Sequence, residues 1–339
     1  MNGTDVVLSA RGVSVEYGGA QPVRAVRDVT LDLRRGEILG IAGESGCGKS
    51  TLAFALARLL RPPAELTGGT ITFTEPDGTD VDLAGLDTDA LRRFRWNRMS
   101  MVFQSAMNAL NPVTTISRQI DDILLAHRPG MTKRERRSRA AELLDMVGID
   151  PARLRGFPHE LSGGMRQRVG IAMALCLQPD VVIMDEPTTA LDVVVQREIL
   201  DRIELLRADL GFAIIFITHD LALLMEISDR LAIMYAGRIV EQAPVRQIER
   251  DPRHPYTRAL LRSFPDLDAE RRDLRGVPGA PPDLRETPQG CPFQPRCAHA
   301  FAPCRTTLPL ARQVDGAGEV ACHLHDPAYP QPNLDEVTA

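Results

Sequence analysis

Three features of the 339-residue sequence predict an α/β protein built on a parallel sheet. Ile38–Ala42, Val181–Met184 and Ala213–Thr218 are short apolar runs rich in β-branched residues, and each is followed by a helical pattern. Runs without polar alternation are strands covered on both faces, as in sheets layered with helices. A glycine-rich loop, Gly43–Ser50, separates the first run from its helix. Finally, the composition changes near residue 250: residues 251–339 hold 14 of the 25 prolines and four of the six cysteines. The α/β part therefore spans about 1–250, and 251–339 form a small Cys/Pro-rich extension.

Taken in order, Val6–Val15 alternates and predicts a strand of a smaller antiparallel sheet, which Ile71–Val81 joins. The run Ile38–Ala42 is the first core strand. Residues 115–160 read as mostly helical. Within them Thr132 and Glu135 form a Thr-x-x-Glu capping box that opens a helix running through Val147. Arg134, Arg136, Arg137 and Arg139 lie on that helix, but Glu135 and Glu142 interrupt them, so they read as a solvated face rather than a nucleic-acid patch. The runs Val181–Met184 and Ala213–Thr218 complete the core. No internal repeat is visible.

Composition sets further bounds. With 44% hydrophobic and 25% charged residues the chain has the make-up of a folded globular protein, not a disordered or collagen-like one. A net charge of −5 supplies no global basic field for nucleic acid. The longest apolar stretches, such as Val169–Leu177, fall short of the ~20 residues that span a bilayer. The N-terminal residues lack the basic start and apolar core of a signal peptide, which predicts a cytoplasmic chain. Of the 40 basic residues only Lys49 and Lys133 are lysines.

One of those lysines sits in a phosphate-binding pattern. Gly43-Glu-Ser-Gly-Cys-Gly-Lys-Ser50 fits G-x-x-x-x-G-K-[ST] between a strand and a helix. Its glycines let the backbone curl until successive N–H groups converge on phosphate oxygens. Lys49 adds a point charge at the β/γ-phosphates, and the Ser50 hydroxyl is a magnesium ligand. A second strand, Val181-Val-Ile-Met-Asp-Glu186, ends in adjacent carboxylates. Asp185 suits the Mg²⁺ shell, and Glu186 suits polarisation of an attacking water. The pair makes the chain a P-loop nucleotide hydrolase.

Leu161-Ser-Gly-Gly-Met-Arg-Gln167 supplies a second helix N-terminus with free N–H groups and a hydroxyl. One nucleotide needs only one γ-phosphate cradle, so the second is economically explained as serving a nucleotide held by another chain. Over residues 6–250 the sequence resembles the ATP-binding-cassette ATPases. The resemblance implies a RecA-like P-loop core, an antiparallel β subdomain and a helical signature subdomain at about 105–165. Tyr17 matches the adenine-stacking aromatic, and Gly43, Ser45, Gly46, Cys47, Gly48, Lys49, Ser50 and Thr51 match the ATP-binding loop. Gln104 in MVFQ matches the Q-loop. Ser162, Gly163 and Gly164 match the signature, although Met165 replaces the commoner glutamine. Asp192 in TTALD matches the D-loop, and His219 in ITHD the switch histidine.

The mechanism implied is head-to-tail closure of two cassettes over two ATP molecules. Glu186 would activate water, with His219, Gln104 and Lys49 assisting, Mg²⁺ held by Ser50, Gln104 and Asp185, and the Ser-Gly-Gly dipoles arriving in trans. Soluble cassette ATPases acting on nucleic acid or ribosomes are the competing class. They typically carry two cassettes or a long insert, whereas 56 residues separate Gln104 from Leu161 here. MVFQSAMNALNP, LSGGMRQRVGIAMAL and MDEPTTALDVVVQ resemble the ATPase subunits of oligopeptide and dipeptide importers, a group with nickel and glycan relatives. Asn111-Pro112 would face the docking groove, and PRHPYTRALL (Pro252–Leu261) fits the same group. Membership would imply a second, homologous ATPase as heterodimer partner, two transmembrane permease subunits, an extracytoplasmic substrate-binding protein, and a place on the cytoplasmic face of the membrane without nucleic acid.

Cys291, Cys297, Cys304 and Cys322 are spaced C-x₅-C-x₆-C-x₁₇-C. Clustered cysteines in a reducing compartment argue against disulfides, and a segment this short gains stability from a metal. Four thiolates suit tetrahedral zinc or an iron–sulfur cluster. His299, His323 and His325 are spare donors. The peptide-importer resemblance, through its GCPFxPRC tail, favours a [4Fe–4S] cluster over zinc. Cys176 reads as a packed thiol on an apolar helix.

Overall fold

The computed structural model describes residues 6–104, 110–189, 191–263, 276–286, 288–314 and 318–329. The segment 105–109 of MVFQSAMNALNP and Ala190 of TTALD lie outside the described residues. In chain order the elements are β1 (Val6–Tyr17), β2 (Val23–Arg34), β3 (Ile38–Ala42), α1 (Lys49–Leu56), β4 (Ala64–Thr74), β5 (Asp80–Asp82), α2 (Thr88–Phe94), β6 (Met99–Val102), α3 (Ile116–His127), α4 (Lys133–Met146), α5 (Gly163–Ala174) and β7 (Val181–Asp185). They continue with α6 (Val193–Leu210), β8 (Ala213–Ile217), α7 (Leu221–Ile227), β9 (Arg230–Tyr235), β10 (Arg238–Pro244), α8 (Val245–Arg250), α9 (Pro255–Arg262), α10 (Ala302–Thr306), β11 (Arg312–Val314) and β12 (Gly318–Val320). The chain divides into two compact units. One comprises Met1–Ser9, Asp32–Ile38 and Thr72–Ile217; the other comprises Ala10–Leu31, Leu39–Ile71 and Thr218–Ala339.

In the first unit β6, β7 and β8 pair in parallel, with Met99 opposite Val181 and Val181 opposite Ala213. Every residue of β7 and β8 is buried, as their unbroken apolar runs require. The Thr132 capping box forms as expected. Thr132 N–H donates to Glu135 Oε2 (2.7 Å), and Glu135 N–H donates to Thr132 Oγ1 (3.3 Å). The helix it opens ends at Met146, with Val147 as its C-cap. Arg134 and Arg137 are exposed, and Arg136 pairs with Asp121. The expected strand Ile71–Val81 is broken in two. Asp77-Gly78, with Gly78 at φ +87°, turns the chain so that β5 folds back antiparallel on the end of β4, Phe73 opposite Val81.

The second unit carries β3, which pairs in parallel with β9, Gly40 opposite Leu231. β9 and β10 form a hairpin through Ala236 and Gly237, both at positive φ, the conformation that matches strand twist in a two-residue turn. The C-terminal segment then adds to this sheet. β12 pairs antiparallel with β10, Glu241 opposite Val320, and β11 pairs with β12. Val320 of β12, Cys322 and Leu324 form a small buried cluster flanked by Phe301 and by Val314 of β11. Among the described residues no helix is long and apolar enough to cross a membrane.

Candidate nucleotide and thiol sites

The glycine-rich loop leaves β3 and enters α1 within the second unit. Gly43 sits at φ +152°, and a Cβ there would lie 2.1 Å from the Met234 carbonyl oxygen. Gly48 caps α1 at φ +106°, where a Cβ would lie 2.1 Å from the Ala25 carbonyl oxygen. The loop is thus pinned at both ends by backbone approach that only glycine permits. Gly48 offers α1 no side-chain cap, and a helix N-terminus without one is the kind of site that suits an anion. Lys49 is buried, and its Nζ donates to the Gly43 and Glu44 carbonyls at 2.7 and 3.0 Å. Burial raises the pKa of the Cys47 thiol, against the pull of neighbouring Lys49, so Cys47 is held as a neutral packed group. Tyr17, at the end of β1, shares a hydrogen bond with the Thr51 hydroxyl (3.0 Å). Ser45 and Gly46 are exposed within the loop, and Ser50 lies in the first turn of α1. His219 is exposed just before α7, whose N-terminus Asp220 caps through Leu223 N–H.

In the first unit the acidic strand ends with Asp185, 1% exposed, and then Glu186. Glu186 adopts φ +47°, a left-handed conformation that costs a residue with a Cβ about 1–2 kcal/mol. Its N–H is fixed on the Ile217 carbonyl (2.8 Å). Its Oε2 accepts from Gln104 Nε2 at 3.0 Å and from Thr189 Oγ1 at 2.9 Å. Two residues selected from sequence are therefore in direct contact, and Thr189 joins them unforeseen. Its hydroxyl stands three residues after Glu186, a spacing that gave the signal in the TTALD segment. A carboxylate oxygen held by two donors keeps one orientation, and a carboxylate is the group type that can take a proton from water.

Ser162 is the N-cap of α5 and accepts from Met165 N–H at 3.3 Å. Gly164 lies where a Cβ would meet Val195 Cγ1 of α6 at 2.5 Å, so a larger residue there would displace that side chain. Gly163 opens α5 beside it. Asp192 caps α6 through Val195 N–H (3.0 Å), and the adjoining Val193 and Val194 are strongly exposed. These groups occupy the first unit with Gln104, Asp185 and Glu186; the loop, Tyr17 and His219 belong to the second.

The four tail cysteines line one cavity of about 10 Å³, together with His254, His299 and His323. That volume is at the limit of holding one water molecule. Burial pushes the thiols of Cys291 and Cys322 up to about 12, and raises Cys297 as well. Gly290 lets the chain close on itself here, and Cys291 N–H donates to the Cys304 carbonyl at 2.9 Å. Among the described residues, no group of three or more His, Cys, Asp or Glu side chains is arranged to hold a metal ion. The donor chemistry nevertheless fits a thiophilic group. Four thiols share the cavity wall, and His254 Nε2, His299 Nδ1 and His323 Nδ1 have no hydrogen-bond partner among the described residues. His325 turns elsewhere, its Nε2 on the Arg253 carbonyl at 3.1 Å.

Comparison with known proteins now bears on both sites. The family described as ABC transporter matches residues 26–189, and the family described as oligopeptide/dipeptide transporter, C-terminal region, matches residues 240–304. A Brucella melitensis protein named for peptide import and ATP binding is 48% identical, covering 91% of this chain and 94% of its own length. The dipeptide transport ATP-binding protein of Bacillus subtilis is 42% identical, with 94% and 95% covered. Among solved structures, a dimeric ATP-binding cassette in a post-hydrolysis state with ADP and phosphate matches with a TM-score of 0.62 at 28% identity. It covers 70% of this chain and 98% of that one.

Proposed function

This chain belongs to the ATP-binding-cassette transporter family, and from that premise we propose that it is the ATP-hydrolysing motor of a membrane importer for di- and oligopeptides. The observation that carries the cargo is likeness to peptide-import relatives across nearly the whole chain, with the C-terminal region included. In this reading Gly43–Thr51 receives the phosphates of ATP and Tyr17 its base. Glu186, aimed by Gln104 and Thr189, takes the proton of the attacking water. His219 holds that water and the γ-phosphate in place, and Lys49 leaves its loop carbonyls for the β/γ-phosphates. Ser50, Gln104 and Asp185 are oxygen donors of the kind a hard cation takes, and Mg²⁺ held there would neutralise charge on the phosphates. Ser162–Gly164 serves the nucleotide of a second cassette, and Asp192 lies beside that junction.

The working assembly proposed is a heterodimer with a homologous ATPase on two permease subunits at the cytoplasmic face of the membrane, fed by a binding protein. The cassette would occupy about 1–250, with its helical part near 105–165, and 251–339 would be the extension. Reconstituted with its permeases in vesicles, the complex should show ATP-dependent uptake stimulated by peptides. Stimulation by nickel or a glycan and never by peptides would defeat the cargo assignment and leave the motor standing.

We further propose that Cys291, Cys297, Cys304 and Cys322 bind a [4Fe–4S] cluster, with zinc as the alternative. The shared cavity and the unpartnered imidazole nitrogens support this reading. The cluster would staple a segment whose own apolar core is small. Protein purified without oxygen should contain about four irons and four acid-labile sulfides per chain with visible absorption. One zinc and no sulfide would replace the cluster, and neither would leave a thiol-packed module.

A further inference from the structure

We propose that Arg296, in the C-terminal extension, is a positioning residue for the glycine-rich loop: it holds Glu44, and through Glu44 the curl that receives phosphate. The proposal rests on reading that loop as the ATP site.

The contact is a closed set of hydrogen bonds. Arg296 Nη1 and Nη2 donate to Glu44 Oε2 and Oε1 at 2.6 and 2.8 Å, a bidentate pair. The remaining three N–H groups of the guanidinium go to the Pro278 carbonyl from Nε (2.6 Å), the Val277 carbonyl from Nη2 (3.1 Å) and the Tyr235 hydroxyl from Nη1 (3.2 Å). All five donors are matched, and the Arg296 side chain is only 4% exposed. Such a group has one position available to it.

The backbone of Glu44 is held from the same side. Its N–H donates to the Tyr256 hydroxyl at 2.9 Å, and Tyr256 is fully buried against Tyr235 and Phe293. Phe293 and Arg296 both lie between Cys291 and Cys297. On its other side Glu44 offers its carbonyl to Lys49 Nζ and to Cys47 N–H. Met234 and Ala25 fix the loop at its two glycine ends. Between those ends, Glu44 is anchored by side chain and by N–H to residues that follow position 250. Truncating Arg296 frees the carboxylate to swing toward solvent and loosens the peptide whose carbonyl positions Lys49. The pair touches no reacting atom, so it acts on nucleotide affinity rather than on the chemical step.

The test is equilibrium titration of the full-length chain with a fluorescent ATP analogue and Mg²⁺, together with KM and kcat of the assembled transporter. Arg296→Ala should weaken binding and raise KM for ATP by about ten-fold, with kcat within about two-fold. Arg296→Lys keeps the charge but loses the fork and should fall between the two. Glu44→Gln should match Arg296→Ala, and the double variant should be no worse than either single, the signature of one shared interaction. Arg296→Lys and Glu44→Gln keep the proposal testable should Arg296→Ala fail to fold. Parent-like KM in folded variants, even with a lowered thermal midpoint, would overturn it, as would losses that multiply in the double variant. Lys49→Ala separates the two readings: if that variant keeps its nucleotide affinity, the ATP assignment of the loop has failed, whatever Arg296 does.

Discussion

Glu186→Gln should bind ATP within about three-fold of the parent affinity and hydrolyse it about 10²–10⁴-fold more slowly, the range lost when a general base is removed. The fold should survive, because the substitution is isosteric where it matters. The Gln104 amide and the Thr189 hydroxyl both donate to Oε2 of Glu186, and a glutamine carbonyl accepts from both equally well. The Ile217 carbonyl still receives the residue 186 N–H, so the left-handed backbone stays in place. What disappears is the carboxylate's capacity to accept a proton, which a carboxamide lacks at neutral pH. If hydrolysis is the slow exit from the closed state, the variant should also accumulate ATP-bound dimers, visible by light scattering. Turnover equal to the parent's would remove Glu186 from the role of base and leave its contact with Gln104 a structural one.

The parts of the fold and site legible from sequence are those in which chemistry dictates residue type within a short window. β7 and β8 announce themselves because strands covered on both faces need uninterrupted apolar side chains, and both were found within one residue of the expected bounds. The capping box could be read because its two hydrogen bonds close over three residues. Gly43 and Gly48 could be read because nothing with a Cβ fits them. What stayed hidden depends on long-range pairing. Glu44 and Arg296 are 252 positions apart, and the local pattern around each is compatible with a solvated charge. β12 is three residues long and takes its ladder from β10, far earlier in the chain, on one side and from β11 on the other. The Asp77-Gly78 turn was legible, but the apolar residues flanking it drew both arms into one strand, although the turn residues by themselves favour a hairpin.

The same geometry separates Gly48, a glycine the motif specifies, from Gly46, which falls at one of its unspecified positions. Gly48→Ala should cost at least 3 kcal/mol, because left-handed strain of about 1–2 kcal/mol adds to a Cβ placed 2.1 Å from the Ala25 carbonyl oxygen and 2.9 Å from Met234 Cε. Backbone on one side cannot rotate away as a flexible side chain does. The expected result is a thermal midpoint lowered by about 5 °C or more, with nucleotide binding lost alongside the fold of the loop. Gly46 also has positive φ, +78°, but a Cβ there meets nothing within 4 Å. Gly46→Ala should therefore cost only the strain, about 1 kcal/mol, and leave the midpoint nearly unchanged. In the proposed phosphate site, however, its methyl group would occupy the open space beside the loop, where phosphate oxygens would come within hydrogen-bond distance of the backbone. Affinity for ATP should drop about 10²-fold in a protein that melts almost like the parent. Melting curves and nucleotide titrations on the two variants decide the matter: Gly46→Ala with parent affinity would mean that phosphate does not approach the loop from that face, and the cradle would have to be drawn elsewhere.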